Sequence, residues 1–153
     1  MKREDLPPDD HIVRYVKPSM IRRDGTPDGA DFRLRPNRTD ETGLSVNWLE
    51  MFGFRKDHQL AEVRRLCRLE RKPAARFAEL NVGATIRAVS EESMSLRIVH
   101  EPLEGDEVYE TDPSHAEIIG LPPGESDLAM LVGDLISQCV VAMHPAIVSG
   151  DDI

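Results

Sequence analysis

The chain has 153 residues, enough for one domain with its own core and no need of a disulfide or metal staple. A hydrophobic fraction of 40% beside a charged fraction of 31% excludes disorder throughout, and a net charge of −9 argues against general phosphate-backbone binding. No apolar run approaches the length of a membrane span, and the start Met1-Lys2-Arg3-Glu4-Asp5-Leu6-Pro7-Pro8 has no hydrophobic stretch behind its charges, so it is not a secretion signal.

Residues 1–10, rich in Pro and acid, are expected to be a flexible leader. Residues 11–148 are expected to form a single domain and 149–153 a tail. His11 to Val16 reads as a first strand stopped at Pro18, and the Asp-Gly signals between Asp24 and Gly29 read as a turn. Phe32-Arg33-Leu34-Arg35 alternates apolar with basic, which predicts a strand carrying both arginines on one face, ended by Pro36. A polar loop follows. Leu44-Ser45-Val46-Asn47-Trp48 then alternates cleanly, with Leu44, Val46 and Trp48 inward and Ser45 and Asn47 outward.

Residues 57–71 predict a helix with Asp57 as N-cap and Leu60, Val63, Leu66 and Cys67 along one stripe. Residues 75–82 are compatible with strand or helix, and the loose alternation favours strand. Gly83 to Val89 reads as a short helix, Met94 to His100 as a strand, and the acidic stretch 101–113 as a surface loop. His115 to Ile119 reads as another strand. A long C-terminal helix begins at the cap Ser126, with Leu128, Leu131, Val132, Leu135, Cys139, Ala142 and Met143 as its apolar set and Pro145 as its stop. About five strands and two to three helices without βαβ alternation predict an α+β domain with a mixed or antiparallel sheet.

Charge is unevenly spread. Residues 1–76 hold 17 basic against 13 acidic residues, and residues 77–153 hold 2 against 15. The basic run 64–76 offers a nucleic-acid or acidic-partner face, set against mutual neutralisation of the two halves on folding. Few aromatics accompany it, and nucleic acid is not expected as a partner.

Two groups of polar residues carry candidate chemistry. Arg33 and Arg35 are candidate anion clamps, with Ser45 and Asn47 as substrate-positioning groups. His115 and Glu117 share a strand face about 7 Å apart and form a candidate acid–base pair. Ser114 points away from His115, so adjacency does not pair them. A metal site at His115 needs further ligands, for which His100 and Asp112 are the nearest guesses, and neither a metal nor a cofactor is expected. Gly83 stands at a strand–helix corner of the kind that binds phosphate. Cys67 and Cys139 have no metal or redox spacing and are expected to be reduced and buried, as in the cytoplasm.

The segments RYVKPS (14–19), DGTPDGADFRLRP (24–36), ETGLSVNWLE (41–50), ARFAELNVG (75–83) and DPSHAEIIG (112–120) resemble a family of small uncharacterised bacterial proteins. The resemblance implies a bacterial, cytosolic protein and carries over no functional residue. The expected function is that of an accessory or regulatory protein that binds a protein partner. The alternative is a small enzyme acting on a nucleotide or another phosphorylated substrate.

Overall fold

A computed structural model describes residues 3–35, 42–92 and 94–148. Pro36, Arg38, the rest of the loop up to residue 41, and the tail 149–153 lie outside the described residues. The fold is α+β, built on one six-stranded sheet in which every neighbouring pair is antiparallel. The strands are β1 (His11–Val16), β2 (Gly43–Trp48), β3 (Arg76–Asn81), β4 (Arg97–His100), β5 (His115–Ile119) and β6 (Ala142–Pro145), in the order β4-β5-β2-β1-β3-β6. The helices are α1 (Lys56–Leu66), α2 (Val82–Ser90) and α3 (Asp127–Gln138).

Strand alternation divides the apolar residues between two faces. Ile12, Val16, Leu44, Val46, Ala78, Leu80, Ile98 and Ile118 face α2 and α3 in the larger core. Val13, Phe77, Leu49 and Ala75 face α1 in a smaller one, with Leu60 and Val63 from the helix. Because α1 reaches only the β1–β3–β6 half of its face, the β2–β5–β4 half is left to other cover. On that half Arg3 of the N-terminal arm reaches Glu117, and the Glu101 carbonyl meets His115.

β1 and β2 pair only at Ile12↔Trp48 and Val13↔Asn47. Beyond that point the Arg14 guanidinium takes over, donating from Nη1 to the Ser45 carbonyl at 2.8 Å and from Nε to the Asp31 carbonyl at 2.7 Å. The side chain thus restores hydrogen bonding where the backbone ladder stops. Burial pushes the Asp31 carboxyl up, and Arg14 works against that shift.

Several expectations need correction. The leader is not frayed where it is described: Leu6 is buried in the larger core, its N–H donates to the Ile98 carbonyl, and Asp5 bridges Val99. The arm thereby covers the outer edge of β4, an edge that would otherwise expose unpaired backbone groups. Residues 32–35 are not a strand. Gly29–Phe32 is a 3-10 turn capped by Asp28, and the apparent alternation reflects one anchor, the fully buried Phe32.

The helix predicted for 57–71 stops at Leu66, and Asp57 lies in its first turn rather than at its cap. Ala142 and Met143 belong to β6, not to the C-terminal helix. Ser126 does cap α3, accepting from the Ala129 N–H at 3.1 Å.

Of the apolar set expected for α3, Val132 is buried and Cys139 packs on the larger core, but the buried face is rotated away from Leu128 and Leu131. Ala129, Val132, Gly133 and Ile136 are buried, whereas Leu128 and Leu131 are exposed. The selection follows from Gly133, where the helix meets the Gly29–Phe32 turn backbone to backbone. A Cβ on Gly133 would lie 2.5 Å from the Gly29 carbonyl oxygen and 3.0 Å from Arg33 Cγ. In an ordinary helix interior, Gly→Ala gains about 1 kcal/mol. Here Gly133→Ala is expected to destabilise by about 1–3 kcal/mol through overpacking, measured by urea unfolding. A stabilised variant would contradict this contact.

Candidate functional site

The β2–β5 pairing sets Ser45 opposite Glu117 and Asn47 opposite His115. The Trp48 N–H donates to the Ser114 carbonyl at 2.8 Å, so the hydrogen-bonded positions of this ladder are 48/114, 46/116 and 44/118. Ser45/Glu117 and Asn47/His115 are therefore the non-hydrogen-bonded pairs, whose side chains approach most closely. All four residues stand on the face opposite the larger core. Their convergence follows from strand parity alone.

His115 is 8% exposed and held at both ring nitrogens. Nδ1 lies 2.7 Å from the Glu101 main-chain carbonyl and Nε2 lies 3.2 Å from Ser45 Oγ. A carbonyl only accepts, so Nδ1 carries the proton in the neutral ring, and the Nε2 lone pair faces the serine hydroxyl. Glu117 does not hydrogen-bond to His115 and lies near Arg3, whose Nη2 is 3.7 Å from Glu117 Oε1. Arg3 Nε pairs with Glu101 Oε2 at 2.8 Å. Arg3, Glu4 and Asp5 of the arm line an open depression of about 520 Å3 together with Arg97 of β4.

Asn47 serves as a tie rather than a free positioning group. Its Nδ2 donates to Asp112 Oδ2 at 3.0 Å and to Ser114 Oγ at 2.8 Å. Asp112 Oδ1 in turn accepts from the Ser114 amide and hydroxyl. This buried network fixes the turn that delivers His115 into β5.

The arginines do not join this site. Arg33 follows the 3-10 turn and packs on α3 at Gly133, on the other side of the sheet. The Leu34 carbonyl lies against Gly124 in the connection to α3, and the exposed Arg35 follows it. His100 faces away as well: it pairs with Ala116, stacks edge-on to Trp48 and contacts the Pro113 carbonyl at 2.6 Å. Among the described residues no group of three His, Cys, Asp or Glu is placed to hold a metal. Gly83 offers no open anion site, since its N–H and that of Val82 donate to the Pro8 and Asp10 carbonyls and Asn81 caps Ala84.

The basic run 64–76 is not one helix, and most of it is engaged internally. Arg64 and Arg71 donate to the Pro145 and Ala146 carbonyls. Arg68 donates to the Glu104 and Glu110 carbonyls and lies over the Tyr109 ring, and Arg65 pairs with Glu62 and Glu110. The basic and acidic halves of the chain meet here. Cys67 and Cys139 are free and half-buried rather than fully buried, and desolvation pushes both thiols up from their ordinary value, which favours the protonated form.

Sequence reasoning did not identify a second polar cluster, centred on the buried Glu79 of β3. Glu79 accepts from Lys56 Nζ at 2.9 Å and lies 2.7 Å from His144 Nε2. The cluster needs β6 beside β3, and β6 was not recognised as a strand. Protein-family models, curated proteins and solved structures gave no match to the chain.

Burial raises the Glu79 carboxyl, but the hydrogen bonds and charges of His144 and Lys56 outweigh it and hold the group at about 2. The unfolded chain takes up this proton near pH 4.5 and the folded chain only near 2. The contribution is therefore complete above pH 4.5 and lost as pH falls towards 2. Glu79→Gln is expected to cost about 2 kcal/mol at pH 7, with the gap to wild type closing below pH 4 in thermal melts. An equal gap at pH 3 and pH 7 would contradict the assignment.

Proposed function

We propose that the chain is a cytoplasmic accessory or regulatory protein that binds a protein partner through the outward face of α3. The observation that carries this reading is the second apolar stripe of that helix. Leu128 and Leu131 are 38% and 42% exposed, while Met130, 50% exposed, lies on the opposite flank of the buried face and does not belong to the stripe. Leu128 and Leu131 lie three residues apart, and the partly buried Leu135 continues their line. An apolar patch at helical spacing suits the packing of a partner helix along α3.

Charge defines the partner's chemistry. No Lys or Arg occurs in the sequence after Arg97. Glu125, Asp127 and Asp134 border the stripe, with Arg22 3.8 Å from Asp134 as a partial offset. The fitting partner is an amphipathic helix whose apolar ridge is flanked by lysines or arginines, so encounter is faster at low salt. Among the described residues no helix is long and apolar enough to cross a membrane. Nucleic acid fits less well, because the arginines nearest to a basic patch are spent on internal carbonyls and carboxylates.

The phosphorylated-substrate alternative finds less support. It needs Arg33 and Arg35 beside His115, whereas the charged groups nearest that histidine include the carboxylates Glu101 and Glu117, only partly offset by Arg3.

Affinity capture from the source organism, with wild type and a Leu128→Asp/Leu131→Asp variant, tests the reading. Both leucines are exposed, so the variant is expected to melt with wild type, while each substitution weakens the complex about tenfold. The expected result is a stoichiometric partner with a basic, apolar contact segment, held at low salt, weakened at high salt and lost from the variant. Capture of no partner at either salt, or equal capture by the variant, contradicts it.

A further inference from the structure

We infer that Ser45 is a nucleophile activated by His115, forming an acyl-transfer site independent of the α3 docking face. Three groups compose it. The Ser45 hydroxyl stands on an exposed position of β2, His115 Nε2 lies 3.2 Å from it, and the Glu101 carbonyl 2.7 Å from Nδ1 fixes the ring. This is the nucleophile, base and orienting acceptor of activated-serine chemistry, with a main-chain carbonyl as the orienting group. The order of demands is met: a hydroxyl open to solvent, a base almost fully buried and locked in one tautomer, and supports on rigid strands. Asn47, Asp112 and Ser114 act as positioning residues, since they set the turn from which His115 enters β5.

The step balances without a cofactor. Ser45 Oγ forms a bond to the carbonyl carbon of an ester while its proton passes to His115 Nε2. The tetrahedral intermediate expels the alkoxide, which takes the proton back from Nε2, leaving the acyl group on the serine. Water, deprotonated by the same nitrogen, then adds to the acyl carbon; the second tetrahedral intermediate breaks its bond to Ser45 Oγ, which takes the proton back from Nε2 as the acid is released. Charge narrows the substrate class. Glu117 stands directly across the ladder from Ser45, and Glu101 is the next carboxylate, bound by Arg3. A neutral or cationic acyl donor is therefore favoured over an anionic one. Ser45 is exposed while Asn47 and Glu117 beside it are partly buried, so the hydroxyl is reached from one side, which suits an ester presented at the end of an extended chain.

p-Nitrophenyl acetate is the direct probe, with p-nitrophenolate release followed at 25 °C and the acetylated peptide identified by mass spectrometry. The expected result is one acetyl group per chain on Ser45. Ser45→Ala should abolish the labelling, and His115→Gln should slow it by about 10²–10⁴-fold. Since His115 is buried, its variant carries the risk of misfolding. Ser45→Cys leaves the histidine in place and is checked with iodoacetamide: the introduced thiol should alkylate at lower pH than Cys67 or Cys139 in the same chain. Acetylation confined to lysines, equal rates in wild type and Ser45→Ala, or an introduced thiol no more reactive than Cys67 would each overturn the inference. Failure of the α3 capture experiment leaves these outcomes unaffected, and the reverse also holds.

Discussion

The antiparallel pairing of β2 with β5 sets the position of nearly everything else in the molecule. Side chains on paired strands alternate between faces, so the register that sets Leu44 against Ile118 and Val46 against Ala116 also sends Ser45, Asn47, His115 and Glu117 to the other side. Core and polar site are thus two consequences of one alignment. A slip by one residue would bury the polar set and expose the apolar one, with an energetic penalty of several kcal/mol from stranded polar groups alone. The Asn47–Asp112–Ser114 network guards the alignment at the end where β5 begins. Arg14 supports it from β1, where the backbone ladder gives out.

Electrostatics shape the fold in a second way. A chain with its cations early and its anions late would repel itself if the two groups remained apart. Folding brings Arg65 and Arg68 onto the 104–110 segment, and Arg64 and Arg71 onto carbonyls at the end of β6. The arginines hold irregular chain whose backbone carbonyls would otherwise lack partners. What remains at the surface around α3 is the acidic excess of the second half, and this gives the exposed leucines a chemically defined setting.

Legibility in the sequence tracked how many structures each pattern allows. β1, β2 and β5 were readable because period-two alternation with one buried face has a single solution. The meeting of Ser45 and Asn47 with His115 and Glu117 was left open, because strand order is not written in local pattern. The Glu101 carbonyl that locks His115 leaves no signal at all, as any residue supplies one. α3 is legible with its cap and with Val132 on its inward side, but the pattern does not say that Leu128 and Leu131 stay outside while Ala129 and Ile136 go in. Gly133 decided between them by permitting close backbone approach, a three-dimensional fact. Phe32 to Arg35 imitated a strand through a single buried aromatic. β6 was hidden because four residues ending in proline resemble a helix stop, and only the free edge of β3 makes them a strand.

The β2–β5 register is best tested by cross-linking. With Cys67 and Cys139 replaced by alanine, cysteines at positions 45 and 117 would occupy a non-hydrogen-bonded pair, where Cβ atoms lie within disulfide reach. The account predicts rapid intramolecular disulfide formation under mild oxidation for Ser45→Cys/Glu117→Cys, with native-like folding, and none for Ser45→Cys/Ile118→Cys. Efficient closure of the second pair, with failure of the first, would mean that the strands are shifted and that the core and the polar site are both wrongly placed.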